Sequence, residues 1–159
     1  MIVEDHPEYR DGISLALESD PGIRLARSFG TAERALRHLQ DRRETPKPDV
    51  ILLDLNLPGI GGIEALPYFR ICLPSAKIII LTQSDREDDV LAAISSGASG
   101  YILKSSPLGQ IKESIETVMA GGAALDAGMA SHILKSLEKN PAKPGAKNQL
   151  SERELPVLG

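Results

Sequence analysis

The sequence is poor in several kinds of residue and run, and each shortage excludes a class of protein. Its single cysteine, Cys72, rules out an internal disulfide and leaves too few thiols for a cysteine-rich zinc site. Tryptophan is absent and aromatic residues make up 3% of the chain, which argues against a surface that stacks on bases. No apolar run approaches the ~18 residues of a membrane span. Acidic residues stand at positions 4 and 5, which a signal peptide would not have. We therefore expect a cytoplasmic protein.

What the sequence does contain is ordinary for a globular domain. Hydrophobic residues make up 42% and charged residues 25% of the 159 residues. That is enough for one domain with a buried core and a short appendage. The net charge of −4 gives the chain as a whole no electrostatic attraction for nucleic acid.

Apolar runs alternate with segments of helical periodicity along most of the chain. The runs predict strands at 1–4, 23–29, 49–54, 77–81 and 100–103. The periodic segments predict helices at 7–19, 32–42, 62–72, 86–96 and 107–120. Such alternation is typical of a parallel sheet with helices on both faces and right-handed crossovers. The predicted fold is α/β, a doubly wound five-stranded parallel sheet in the order 2-1-3-4-5.

Polar and charged residues stand where the predicted strands end. Glu4 and Asp5 follow the first strand, Asp54 closes the third, Thr82 follows the fourth and Lys104 follows the fifth. Because the carboxyl ends of parallel strands lie along one edge of a sheet, we expect these side chains to meet there. An isolated Asp usually caps a turn and an isolated Lys usually lies on the surface. Together, these residues predict a functional site.

Three carboxylates in one pocket would repel one another unless a cation is bound. Mg²⁺ takes carboxylates, backbone carbonyls and water as ligands, and it keeps positions for phosphate oxygens. We expect Asp5 and Asp54 to be direct ligands and Glu4 to act through water. Asn56 would contribute its backbone carbonyl.

The same residues suit phosphoryl transfer to Asp54. The carboxylate would act as a nucleophile and form an aspartyl phosphate, a reaction that depends mostly on positioning and charge neutralisation. Lys104 would supply a positive charge to the phosphoryl oxygens, and Thr82 a hydroxyl. Tyr101, on the strand that leads to Lys104, would move inward as Thr82 is drawn to the phosphate. Thr82 and Tyr101 are therefore the predicted switch residues.

Four short motifs together resemble a bacterial response-regulator receiver domain over roughly residues 1–122. They are Val3-Glu4-Asp5-His6-Pro7, Asp54-Leu55-Asn56-Leu57-Pro58-Gly59, Leu81-Thr82 and Tyr101-Ile102-Leu103-Lys104. Three further stretches are similar to the NarL/FixJ class, which carries a LuxR-type helix-turn-helix: His6-Pro7, Ser105-Ser106-Pro107 and 150–155. Two positions within the receiver region depart from the family pattern. Gly61-Gly62 stands where Asp-Gly is frequent, and Gln83 stands where a small residue is frequent.

The resemblance implies a flavodoxin-like receiver fold and a transcriptional regulator of a two-component system. A sensor histidine kinase would phosphorylate Asp54 with Mg²⁺ as the cofactor. The phosphorylated receiver would then switch a DNA-binding output domain, and homodimerisation is compatible with this role. The chain would not be an enzyme, apart from slow loss of its own phosphate.

Three segments are expected along the chain. They are a receiver domain at 1–122, a connecting helix (127–139) and flexible linker within 123–149, and the start of a truncated helix-turn-helix domain at 150–159. Ser151 and Glu154 form a capping box at the start of the last segment. Because no recognition helix is present, promoter DNA would be bound through the missing output domain and not through this fragment.

Two other functions fit part of this pattern. A stand-alone receiver would act through protein–protein contact, but the linker and the helix signal after it argue against that reading. A phosphatase of the haloacid dehalogenase type also uses a nucleophilic Asp after a strand. Such an enzyme needs a second acid two residues later, where this chain has Asn56.

Overall fold

The structure, a computed structural model, describes residues 1–41, 46–84, 86–125, 130–131 and 133–135. Its strands are β1 (Ile2–Val3), β2 (Ser28–Phe29), β3 (Val50–Asp54), β4 (Lys77–Thr82), β5 (Gly100–Leu103) and β6 (Ala124–Leu125). Its helices are α1 (Pro7–Glu18), α2 (Ala32–Gln40), α3 (Gly62–Cys72), α4 (Glu87–Ser95) and α5 (Leu108–Met119). Strands and helices alternate from β1 to β6, as the sequence predicts.

The strands form one parallel sheet in the order β2-β1-β3-β4-β5-β6. The prediction of an α/β parallel sheet is confirmed, but the predicted number of five strands is wrong, because β6 pairs with β5 as a sixth. In that pair Ala124 lies beside Gly100. A Cβ on Gly100 would lie 2.9 Å from the carbonyl oxygen of Ala124, so glycine permits the close approach. A strand of two residues shows no alternation, and the sequence pattern therefore missed it.

β2 is much shorter than the strand predicted at 23–29. Its two residues pair with the two residues of β1, and a ladder extends only as far as the partner strand does. Ile23 and Leu25 are partly buried against the core without belonging to the sheet. Their packing accounts for the alternating apolar positions that suggested a longer strand.

The hydrophobic core covers both faces of the sheet. On one face, α1 and α5 pack against alternate strand residues such as Leu52, Leu81 and Ile102. The intervening residues Leu53 and Ile80 are buried as well. Because successive strand side chains point to opposite faces, these residues form the other half of the core. The remaining helices cover that face, where α3 contacts both α2 and α4.

Side chains bind the free backbone groups at both ends of α2. Thr31 Oγ1 accepts a hydrogen bond from the backbone N–H of Arg34 at 3.2 Å, which caps the first turn. At the other end, Lys47 Nζ donates to the carbonyl oxygens of Leu39 (3.0 Å) and Asp41 (3.3 Å). A cation at the carboxyl end of a helix also complements the helix dipole. The segment before β3 is therefore tied to the end of α2.

The chain divides into two compact units, Met1–Asp126 and Ala127–Gly159. In the second unit, the described residues 130–131 and 133–135 are helical and fall within the helix predicted at 127–139. The predicted linker and helix-turn-helix start lie outside the described residues, and the division into three segments stays a prediction. Within the part of the chain that the structure describes, no helix is long and apolar enough to cross a membrane.

Candidate functional site

The carboxyl ends of the central strands bring the predicted acidic residues together. Val3 of β1 pairs with Leu53 of β3, so Glu4 and Asp54 follow side by side. Four side chains each offer a ligand atom within 4.8 Å of the others: Glu4, Asp5, His6 and Asp54. The cluster lies at the sheet edge where the sequence places it, since the first and third strands are neighbours.

The two oxygens of Asp54 have different surroundings in this buried cluster, where the residue is 1% exposed. Oδ1 accepts a hydrogen bond from the backbone N–H of Asn56 at 3.2 Å and lies 3.4 Å from Lys104 Nζ. Oδ2 is buried and has no hydrogen-bond partner among the described residues. Burial, together with the negative charge of Glu4, raises the pKa of Asp54 to about 6, although Lys104 opposes the rise. One oxygen is thus held in place and the other is left for a ligand.

Glu4 is fully buried, and its Oε1 has an ion pair but no hydrogen bond among the described residues. Oε1 lies 2.8 Å from Lys104 Nζ. Oε2 accepts a hydrogen bond from the backbone N–H of His6 at 3.1 Å and lies 3.1 Å from the His6 ring. Lys104 therefore joins two buried carboxylates, those of Glu4 and Asp54. With Asp5, the cluster contains three acidic side chains and one ammonium group, which leaves an excess of negative charge at the site.

These groups form an acidic cluster able to bind a metal ion. Carboxylate oxygens are the ligands that hard cations prefer. Asp5 Oδ1 is buried and has no hydrogen-bond partner among the described residues, so it offers a lone pair to a cation. A bound cation would also offset the repulsion from Glu4, which adds to burial in raising the pKa of Asp54. The residues present therefore fit a divalent cation.

Two predicted switch residues lie on the neighbouring strands and meet at one loop residue. Thr82 is fully buried, and its Oγ1 accepts a hydrogen bond from the Ser84 backbone N–H at 3.0 Å. Tyr101 is also fully buried, and its hydroxyl donates to the Ser84 carbonyl oxygen at 3.1 Å. Ser84 Oγ donates to Asp89 Oδ2 on α4 at 2.6 Å. Ser84 therefore links both switch candidates to α4, with Tyr101 in the inward position.

The family comparison agrees with this geometry. The model of the response regulator receiver domain matches residues 1–116. The chain belongs to the response-regulator receiver family. The nitrate/nitrite response regulator protein NarP of Escherichia coli (strain K12) is 39% identical over 158 residues, 99% of this chain and 71% of that protein. The transcriptional regulatory protein LiaR of Bacillus subtilis (strain 168) is 30% identical over 158 residues, 99% of this chain and 73% of that protein.

Solved structures are similar to this receiver as well. A two-component response regulator of the LuxR family from Aurantimonas sp. SI85-9A1 matches with a TM-score of 0.77 and 34% identity, over 86% of this chain and 94% of that one. The isolated REC domain of RcsB from Salmonella enterica serovar Typhimurium, in the presence of phosphomimetic BeF₃⁻, has a TM-score of 0.74 at 22% identity. The match covers 82% of this chain and 94% of that one, and at this identity it is evidence only for the fold. The sequence prediction of a two-component response regulator of the LuxR/NarL group is confirmed.

Sequence reasoning missed Tyr9 in the receiver site. Lys104 Nζ lies 5.0 Å from the centroid of the Tyr9 ring. The Tyr9 hydroxyl is buried and has no hydrogen-bond partner among the described residues. Burial, with smaller contributions from Glu4 and Asp54, raises the pKa of Tyr9 to about 12. No local pattern in the sequence places Tyr9 at the site, because its approach to Lys104 depends on how α1 packs against the strand ends.

His6, which belongs to the first receiver motif, also contacts the acidic cluster. It stands at the N-cap position of α1. Its Nδ1 also lies 3.1 Å from Glu4 Oε2 and 3.3 Å from Asp5 Oδ1, while its side chain is 64% exposed. The receiver thus uses one residue both to begin a helix and to contact two acids of the cluster.

The loop after Asp54 returns close to the strand end. The Gly62 N–H donates to the carbonyl oxygen of Leu55 at 2.8 Å. A Cβ on Gly62 would collide with the Asp54 carbonyl oxygen and lie 2.8 Å from Leu55 Cα. A Cβ on Gly61 would meet nothing closer than 3.4 Å. In the Gly61-Gly62 pair, sterics therefore require glycine at the second position and permit a side chain at the first.

Proposed function

We propose that Asp54 accepts a phosphoryl group from a sensor histidine kinase. The observation that carries this proposal is the buried Oδ2 of Asp54, which no described donor binds. An unsatisfied buried polar atom costs about 1–3 kcal/mol, so its presence beside Lys104 is best explained by a reaction partner. Oδ1 is already held by the Asn56 N–H and the Lys104 ammonium group. Oδ2 is therefore the oxygen that reacts.

The reaction is an in-line transfer of a phosphoryl group to the carboxylate. Oδ2 of Asp54 attacks the phosphorus of the donor, and the bond from phosphorus to the leaving group breaks. The leaving group, a histidine nitrogen of the kinase or the acetate of acetyl phosphate, keeps the electron pair. Loss of the phosphate reverses the modification, because water attacks phosphorus and the Asp54 carboxylate is regenerated. We propose no catalytic turnover beyond this slow hydrolysis.

Mg²⁺ is the proposed cofactor. Asp5 and Asp54 would be its direct carboxylate ligands, and Asn56 would add its backbone carbonyl. Glu4 would act through water, because Lys104 and His6 already engage its oxygens. Bound Mg²⁺ would supply positive charge to the phosphoryl oxygens.

Lys104 and Thr82 have the proposed role of holding the transferred group. The Lys104 ammonium would turn from Glu4 and Asp54 to the phosphoryl oxygens. The Thr82 hydroxyl would donate to the same oxygens. Because Ser84 binds both Thr82 and Tyr101, this shift would be transmitted to α4. The resulting change in a cytoplasmic protein would control a homodimer or a DNA-binding output domain outside this chain, as the family implies.

Intact-mass spectrometry tests the proposal directly. The protein is incubated with acetyl phosphate, with and without Mg²⁺, alongside Asp54→Asn and the control Asp88→Asn. Asp88 lies on α4 and its side chain is 87% exposed. We expect the mass of one phosphoryl group on the wild type and on the control, only with Mg²⁺, and none on Asp54→Asn. Labelling of Asp54→Asn at another residue, or no labelling of any protein, would contradict the assignment.

A further inference from the structure

The Tyr9 hydroxyl is a buried polar group that the proposed reaction does not yet use. It has no hydrogen-bond partner among the described residues, although it lies beside groups of both charges. The ring packs against the hydrophobic core, and the Lys104 ammonium lies 5.0 Å from its centroid. Phenylalanine would provide this packing and the contact with the lysine equally well. The hydroxyl therefore needs an explanation of its own.

The surroundings of the hydroxyl indicate what would bind it. Burial, with smaller contributions from Glu4 and Asp54, raises the pKa of the phenol, so the hydroxyl keeps its proton and acts as a donor. Tyr9 and Lys104 also line an open cavity together with His6, Glu8, Gln83 and Ser105. Lys104 connects this cavity to Asp54, because its ammonium group lies 3.4 Å from Asp54 Oδ1. The missing partner of the hydroxyl is thus an acceptor bound beside Lys104.

We propose that the Tyr9 hydroxyl donates a hydrogen bond to an oxygen of the phosphoryl group on Asp54. This inference rests on the proposed function. The phosphoryl group adds acceptor oxygens next to a carboxylate that had one oxygen unpartnered. Lys104, which contacts both the Tyr9 ring and Asp54, would bind the same group. Tyr9 is then a positioning residue that stabilises the phosphorylated state over the free carboxylate.

Calorimetric titration with beryllofluoride, a phosphoryl mimic, measures this contact without chemistry. The wild type is compared with Tyr9→Phe, which removes only the hydroxyl, and with Tyr68→Phe, where the tyrosine is 56% exposed on α3. In saturating Mg²⁺ we expect the Kd of Tyr9→Phe for beryllofluoride to rise roughly three- to tenfold. Tyr68→Phe should match the wild type. A separate Mg²⁺ titration should give all three proteins the same affinity within about twofold.

Each other outcome has a definite meaning. Equal beryllofluoride affinity in Tyr9→Phe and the wild type would overturn the inference, while labelling of Asp54 by acetyl phosphate would leave the proposed function standing. A parallel loss of Mg²⁺ affinity would assign the hydroxyl to the metal site or to the fold, and would also overturn it. A wild type that neither binds beryllofluoride nor accepts phosphate would refute the proposed function itself.

Discussion

Replacing Asp54 with Asn should stabilise the metal-free protein. In the folded state, burial and Glu4 raise the pKa of Asp54 from 3.8 to about 6. At ~1.4 kcal/mol for each tenfold change in proton affinity, that rise corresponds to about 3 kcal/mol of unfolding free energy lost at neutral pH. The attraction to Lys104, which lies 3.4 Å from Oδ1, is already included in that pKa, but an amide NH₂ group placed near the ammonium group would cancel part of the gain. We therefore expect a net stabilisation of about 1–3 kcal/mol at pH 7.

The sign of the pH dependence follows from the same pKa. Because folded Asp54 holds its proton more tightly than unfolded Asp54, acidification favours the folded state. The stability that protonated Asp54 contributes to the folded state is fully present below about pH 4, and it is lost as pH rises through about 6. The stability advantage of Asp54→Asn should therefore be largest at pH 7 and should disappear near pH 4.

Urea denaturation at pH 4.5, 6 and 7, in EDTA and then in Mg²⁺, is the assay. In EDTA, the free energy of unfolding of Asp54→Asn at pH 7 should exceed that of the wild type by about 1–3 kcal/mol. Mg²⁺ should stabilise the wild type more than the variant, because it replaces the missing counter-charge. Asp88→Asn, on the surface, should follow the wild type throughout. A less stable Asp54→Asn in EDTA at pH 7, or an advantage that does not vary with pH, would refute the reasoning.

Three further substitutions test other parts of the structure. Lys104→Met leaves two buried acids without their cation and should cost about 3–5 kcal/mol at neutral pH, less in acid, as measured by urea denaturation. Gly62→Ala forces a Cβ into the backbone at Asp54 and should cost about 1–3 kcal/mol and slow labelling by acetyl phosphate, whereas Gly61→Ala should change neither. Thr31→Ala removes a helix cap and should cost about 1 kcal/mol with no change in labelling; an altered labelling rate would contradict that separation.

The sequence predicted best where apolar runs were long and bounded by polar residues. α3 and β5 have the predicted bounds, and β3 differs by one residue, because a fully buried strand or a periodic helix leaves a strong pattern. The proximity of Asp54 to Lys104 also followed from the sequence alone, since a parallel sheet brings its strand ends to one edge.

The sequence predicted poorly where structure depends on a distant partner. The length of β2 is set by β1, and β6 exists because Gly100 lets a neighbouring backbone approach. The place of Tyr9 depends on how α1 packs against the strand ends. No local pattern carries information of this kind, because the interacting residues are far apart in the chain.

The shared attachment of Thr82 and Tyr101 to Ser84 has a mechanical consequence. The Thr82 hydroxyl binds the N–H of Ser84, and the Tyr101 hydroxyl binds its C=O. A movement of either hydroxyl would therefore be transmitted through the same short segment of main chain, at Ser84. Ser84→Ala would keep the bonds to Thr82 and Tyr101 but lose those of the Ser84 hydroxyl to Asp89 and to the Arg86 N–H. Ser84→Pro would remove the N–H that Thr82 binds.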